Sequence, residues 1–289
     1  MRDVLGRGMR VALAAAAVLL ALPGDPAGAA GDAERGGYLV NGIVGCGNCH
    51  TLPPGPDGGA PGPELAGGPP MAEVMFTAHA PNLTPDPETG LGRWTDEQII
   101  RAIREGKRPD GSTIGPPMPF QFYAGLSDRD ARDIVAYLRG LTPVRNETPA
   151  SSYKFPLPPA WGPPVTSVAE VPRTDKVAYG AYMAHALGHC MECHSPLLPT
   201  GLRDLSRMGV GGQQFAGPWG VTVARNITQD KEQGIGAWTD GEIKAAITQG
   251  VRPDGSRLGP PMAFHYYRNI AAEDLDALVA YLRTVPPLR

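Results

Sequence analysis

Two short runs carry most of the chemistry in this 289-residue sequence, Cys46-Gly47-Asn48-Cys49-His50 and Cys190-Met191-Glu192-Cys193-His194. Cys-x-x-Cys-His is the attachment signature of c-type haem. Two thiols on one tight turn can add to the two haem vinyl groups, while the histidine that follows is delivered to the iron. Paired cysteines have other uses. A redox-active dithiol needs a βαβ setting that the pattern lacks, a zinc site needs further Cys or His close by, and a disulfide framework suits an exported chain. The histidine directly after each pair, in both runs, favours haem. A distal ligand for each iron is supplied by Met118 and Met262, each 68 residues beyond its haem histidine and each in a Gly-Pro-Pro-Met run. Prolines donate no amide and keep a loop extended, so a thioether there can be presented to a metal. Met71, Met75, Met183, Met191 and Met208 read as core filler. His79, His185, His189 and His265 do not recur in both copies and read as surface or loop residues.

The two runs are parts of one repeat. A shift of 144 residues carries Cys46 onto Cys190, Trp94 onto Trp238, Met118 onto Met262 and Tyr137 onto Tyr281 without a gap. Such self-similarity marks a duplicated unit. We expect an export signal at 1–29, one domain at 30–145, a Pro-rich linker at 146–175 and a second domain at 176–289, each domain with its own core. The stretch Pro143 to Pro172 suits an extended connector better than a helix or sheet. Thr95-Asp96-Glu97-Gln98 and Thr239-Asp240-Gly241-Glu242 match the capping box and open short helices that Gly106 and Gly250 stop. Apolar stripes at Ile134, Val135 and Leu138, and at Leu275, Leu278, Val279 and Leu282, place a last helix in each copy. No alternating strand pattern is present, so the fold class expected is all-α with long Pro- and Gly-rich loops. Asn82-Leu83-Thr84 and Asn226-Ile227-Thr228 match the glycosylation sequon, yet also suit a turn or a haem-propionate contact. Trp94 and Trp238 are expected to pack in the core.

Glycine and proline together make up about a quarter of the chain, but 42% of residues are hydrophobic and the formal net charge is −3. That balance fits folded, loop-rich domains rather than disorder, and there is no basic patch of the kind nucleic acid requires. Arg2, Arg7 and Arg10 followed by an apolar run from Val11 to Leu22 and by Ala27-Gly28-Ala29 form a secretory signal pattern with cleavage after Ala29. The run is shorter than the ~20 residues of a membrane-spanning helix, which implies a periplasmic protein, with peripheral association at the inner membrane compatible with it.

Taken together, the motifs resemble the class I cytochrome c family along nearly the whole of both copies: a first helix, Cys-x-x-Cys-His, a distal Met loop and a last helix. The resemblance implies two tandem cytochrome c-like domains, two covalently bound haem c groups, and a helix crossing in which Gly36-x-Tyr38-Leu39 and Gly180-x-Tyr182-Met183 meet Tyr137 and Tyr281. More narrowly, Asn-Leu-Thr, Trp-Thr-Asp, Pro-Asp-Gly and Pro-Pro-Met are similar to the cytochrome subunits of periplasmic alcohol, gluconate and aldehyde dehydrogenases, which often carry three haem domains where this chain has two motifs. The expected role is an electron carrier between a donor dehydrogenase and an acceptor cytochrome or oxidase, with no catalytic residue of its own. The alternative is a peroxidase-like dihaem enzyme with one open iron. Two matching Pro-Pro-Met loops argue against that asymmetry, and thiosulfate-oxidising cytochromes need a distal cysteine that this chain, with all four cysteines committed, does not have.

Overall fold

The computed structural model describes residues 30–54, 60–198 and 203–289, so the expected signal segment lies outside the described residues. In chain order the helices are α1 (Ala33–Val40), α2 (Gly47–His50), α3 (Asp96–Glu105), α4 (Phe120–Tyr123), α5 (Asp128–Gly140), α6 (Lys176–Tyr182), α7 (Cys190–Cys193), α8 (Asp240–Gln249), α9 (Phe264–Tyr267) and α10 (Ala272–Leu282). A π-helical turn, Met183–Leu187, extends α6 toward the second cysteine motif. The fold is mostly helical, and the all-α expectation needs a correction. Five short strands are present among the described residues: β1 (Pro70–Ala72), β2 (Phe76–His79), β3 (Ser152–Tyr153), β4 (Gln214–Gly217) and β5 (Gly220–Val223). Strands of two to four residues are too short to leave an alternating pattern in sequence. They form two antiparallel hairpins, β1–β2 and β4–β5, and β3 adds to the outer edge of β2 with Phe76 opposite Tyr153. The connector therefore contributes a strand, where the proline content predicted none.

Local signals explain the helices that hold the site. Both capping boxes close: Thr95 Oγ1 accepts from Gln98 N at 3.2 Å while Gln98 Oε1 accepts from Thr95 N at 2.9 Å, and Thr239 with Glu242 does the same. Gly106 and Gly250 end α3 and α8 in the left-handed region, at φ +63° and +65°, where a side chain would be strained. Within each half the first helix crosses the last, α1 over α5 and α6 over α10. The crossing is close because glycine sits at it: a Cβ on Gly36 would lie 1.9 Å from Asp133 O, and one on Gly180 1.9 Å from Ala277 O. Tyr137 and Tyr281 fill the space beside these glycines, as expected.

Tyr38 and Tyr182 behave differently from expectation. Rather than joining their own crossing, each reaches into the other half: Tyr38 Oη donates to Asp274 Oδ2 and Tyr182 Oη to Asp130 Oδ2, both at 2.7 Å. The same two hydroxyls accept from the backbone amides at the start of the opposite last helix, Ala271 N at 3.1 Å and Ser127 N at 3.0 Å. The exchange obeys the 144-residue repeat, so the halves meet in a reciprocal, pseudo-twofold contact. Arg35 Nη2 adds a donation to Tyr179 Oη at 3.1 Å. Separate cores were expected, but one continuous buried cluster runs from Leu39, Ile43 and Ile134 to Met183, Leu187 and Leu278.

Candidate functional site

Each cysteine motif is a single helical turn. His50 N donates to Cys46 O and His194 N to Cys190 O, both at 3.0 Å, which sets the two thiols of each pair one turn apart with the histidine beside them. The turns are entered through a left-handed residue, Gly45 in the first and His189, at φ +38°, in the second. All four cysteines are free thiols, so no disulfide framework exists. Burial pushes the Cys46 thiol up to about 12 and those of Cys49 and Cys190 up to about 11, and raises Cys193 as well. A redox dithiol needs the opposite shift. Among the described residues one group, His189, Glu192 and Cys193, has metal-type donors mutually within 4.8 Å. It falls one donor short of a closed zinc site, and Glu192 lies 3.6 Å from the Arg203 guanidinium.

The histidines are oriented by the backbone. His50 Nδ1 donates to Pro81 O at 2.8 Å and His194 Nδ1 to Arg225 O at 2.6 Å. A carbonyl can only accept, so the proton resides on Nδ1 and Nε2 keeps its lone pair, the arrangement a metal-bound imidazole requires. Burial holds both rings below their ordinary pKa, favouring the neutral form that ligates. What aims those carbonyls is the repeated Asn-x-Thr run that follows them. Asn82 Oδ1 accepts from Thr84 N at 2.9 Å and its Nδ2 donates to Val144 O at 2.7 Å. Asn226 repeats this with Thr228 N at 2.8 Å and Leu288 O at 2.7 Å. Both asparagines are buried and bond within the chain, so the turn accounts for them without a glycosylated sequon, and both also border the cavity that the four cysteines line. The carbonyls of Pro81 and Arg225 are the functional groups that reading the sequence missed. Their signal is the Asn-x-Thr that follows.

Facing the motifs is one cavity of about 3040 Å³, lined by all four cysteines, His50, His194, Met118 and Met262. Trp94 and Trp238 border it from the core, and both are part-buried. Met118 and Met262 each leave their loop just ahead of a short helix, with Phe120 N donating to Met118 O and Phe264 N to Met262 O at 3.0 Å. Of the other methionines, Met183 and Met191 are buried core and Met208 packs against it, while Met75 is exposed at a hairpin turn. Of the remaining histidines, His79, His189 and His265 border the same cavity. His185, expected on a loop or surface, is instead half-buried on the π-helical turn, where its Nε2 pairs with Tyr281 Oη at 2.6 Å.

The structure brings the two motifs together across the pseudo-twofold. Asn48 Nδ2, inside the first motif, donates to Pro261 O of the second Met loop at 3.1 Å. A Cβ on Gly47 would fall 1.9 Å from Tyr266 Oη. The buried Tyr123 and the part-buried Tyr267 sit between the motifs, their hydroxyls pushed up first by burial and then by thiols, those of Cys46 and Cys49 for Tyr123 and those of Cys190, Cys193 and Cys49 for Tyr267. The donor set fits haem c: in each half two neutral thiols, an imidazole with a free Nε2 and a thioether share one apolar space.

A mostly helical chain with two such turns defines a c-type cytochrome, and comparison with known proteins agrees. The family model for cytochrome c matches residues 33–142. The chain is 32% identical, over the full length of both, to a diheme cytochrome c-type protein of Cereibacter sphaeroides. It therefore belongs to the cytochrome c family, whose members hold haem covalently and transport electrons. It is 28% identical over 87% of its length to the gluconate 2-dehydrogenase cytochrome c subunit of Pantoea cypripedii, covering 59% of that relative. With the cytochrome c subunit of the quinone alcohol dehydrogenase of Gluconobacter oxydans it shares 30% identity over 88% of its length, covering 54% of that relative. The chain thus spans little more than half of these dehydrogenase subunits. Among the described residues no helix is long and apolar enough to cross a membrane.

Proposed function

We propose that this chain is a dihaem c-type cytochrome that carries electrons from a periplasmic dehydrogenase toward the respiratory chain, with one site in each of two tandem class I cytochrome c-like domains. The domains are 30–145 and 176–289, joined by 146–175 and preceded by an export signal at 1–29. Cys46 and Cys49 would hold the first haem, with His50 and Met118 as its axial pair. Cys190 and Cys193 would hold the second, with His194 and Met262. Haem c bound at these sites supplies a one-electron iron couple, whose potential His/Met ligation raises. The observation that carries the reading is the twice-repeated histidine, whose Nδ1 is tied to a backbone carbonyl at 2.8 and 2.6 Å, lining one cavity together with a methionine loop. With His50, Met118, His194 and Met262 as ligands, neither haem would keep a coordination site for a substrate, which supports a carrier whose partner performs the catalytic step. The two motifs lie near one another, with Asn48 of the first bonded to the second methionine loop, which supports electron passage between the two haems. The dehydrogenase assignment is supported by the names of the gluconate and alcohol dehydrogenase subunits it is similar to.

The test is a redox titration of the purified holoprotein, with its haem-to-protein ratio and the weak far-red band of methionine-ligated ferric haem. Two haems with the band at full strength are expected. Met118→Ala or Met262→Ala should each lower the potential of one haem, halve the band and leave both haems attached. A high-spin iron in the unmodified protein together with rapid peroxide turnover would overturn the carrier reading in favour of a peroxidase-like enzyme.

A further inference from the structure

The two halves differ at the outer edges of their hairpins. In the first half, the connector covers the outer edge of β2 and the lip of the cavity beside the Met118 loop. β3 pairs with β2, Lys154 N donates to Met75 O at 2.9 Å, and the Tyr153 ring rests on Phe76 with centroids 5.8 Å apart. Tyr153 Oη donates to Pro116 O at 3.0 Å and Trp161 Nε1 to Ile114 O at 2.8 Å, so both carbonyls flanking Gly115 are taken by aromatic donors. Gly115 has to be glycine here, since a Cβ would fall 2.3 Å from Tyr153 Cζ.

The repeat reproduces this surface in the second half, where no segment among the described residues covers it. Leu258-Gly259-Pro260 stands for Ile114-Gly115-Pro116, and β5 stands for β2. The edge of β5 away from β4 pairs with nothing among the described residues. Trp219, Val221 and Val223 are 46%, 66% and 38% exposed beside it. Gly259 keeps the glycine although its Cβ would meet only Thr222 Oγ1, at 3.6 Å. An uncovered edge strand with apolar side chains is a template for strand addition.

We infer that the outer edge of β5 and the recess over Gly259 receive an extended segment of a partner polypeptide that carries aromatic hydrogen-bond donors. Its backbone pairs with β5, one aromatic ring lies on Gly259 and donates to Pro260 O, and a second aromatic donates to Leu258 O. The chemistry of the occupant is read from the first half, where the connector makes these contacts on the same surface. A second copy of this chain is a poor occupant because its own connector is already docked on its own first half. That the partner exchanges electrons with the chain rests on the function proposed above; the strand addition does not.

The experiment appends a second copy of residues 146–162 directly after Arg289, which occupies the register of Arg145, and follows amide hydrogen exchange in the holoprotein. Docking should slow exchange at 219–223 on the order of tenfold or more relative to the unmodified chain. Changing the appended tyrosine to alanine, or Gly259→Leu in the body, should return those rates to their original values. The synthetic peptide of residues 149–162 added in trans should protect the same amides. Exchange at 219–223 that is unchanged by the appended segment overturns the inference. Unmodified protein that dimerises, with protection at 219–223 lost on dilution, assigns the edge to a second copy and overturns the partner assignment. The haem-to-protein ratio and far-red band recorded on the same samples test the haem reading separately, because the exchange rates do not depend on it.

Discussion

Tyr182→Phe and Tyr38→Phe remove matching hydroxyls, yet the structure assigns them different costs. Tyr182 Oη donates to Asp130 Oδ2 and accepts from Ser127 N, and Tyr182, Asp130 and Ser127 are all buried. Without the hydroxyl, a carboxylate oxygen and a backbone amide lose a partner where water cannot replace it. A hydrogen bond to a charged group contributes about 1.5–3 kcal/mol and an orphaned buried donor costs about 1–3 kcal/mol, so a loss of about 3 kcal/mol is expected after partial relaxation. Tyr38 has a softer environment. Asp274 Oδ2 keeps the Arg173 guanidinium at 3.0 Å, and Ala271 N lies at an exposed position where water can reach it. About 1 kcal/mol is expected there. Guanidinium unfolding of the holoprotein, followed in parallel by far-ultraviolet circular dichroism and by the haem absorbance, measures both. Because the pair also joins the halves, the double variant should unfold in two resolved steps where the parent unfolds in one. Equal losses for the two single variants, or a Tyr182→Phe loss below about 0.5 kcal/mol, would refute the reciprocal contact as the join between halves.

The same hydroxyls predict an alkaline limit. Burial, with the neighbouring carboxylates, raises the pKa of Tyr38 and Tyr182. A raised folded-state value means the contribution is fully present below the unfolded tyrosine value of about 10 and fades as pH climbs past it. The parent should lose stability more steeply above that point than the double Phe variant, and parallel pH profiles would contradict this. Gly180→Ala places a Cβ 1.9 Å from Ala277 O and should cost about 3 kcal/mol or prevent accumulation of holoprotein. Gly140→Ala, with nothing within 4 Å of the added atom, is the control and should change the thermal midpoint little. Similar midpoints for the two glycine variants would refute the close helix crossing.

Attachment turns, methionine loops, capping boxes and the duplication are all local or evenly spaced features, and they are readable from residue order alone. Cys-x-x-Cys-His is a single turn whose chemistry depends on neighbours in sequence, and a capping box closes within four residues. The 144-residue shift likewise exposes every paired position without reference to space. What residue order leaves open is which pairs cross between the halves. Tyr38 and Tyr182 look like members of their own helix crossings, but the small residues Gly36 and Gly180 bring the helices so close that Tyr137 and Tyr281 occupy that space. The other two tyrosines are free to meet carboxylates more than 50 positions away in one case and more than 200 in the other. The backbone carbonyls of Pro81 and Arg225 are marked in residue order only indirectly, by the Asn-x-Thr that follows each, because a carbonyl has no residue-type signature of its own and acquires its role only when that turn aims it at a histidine. Nor could the strand formed by Ser152–Tyr153 be foreseen in a proline-rich connector, since strand pairing depends on an edge supplied by distant residues. Local chemistry is thus written along the chain, while the joining of the two sites into one cavity follows from packing that brings distant segments together.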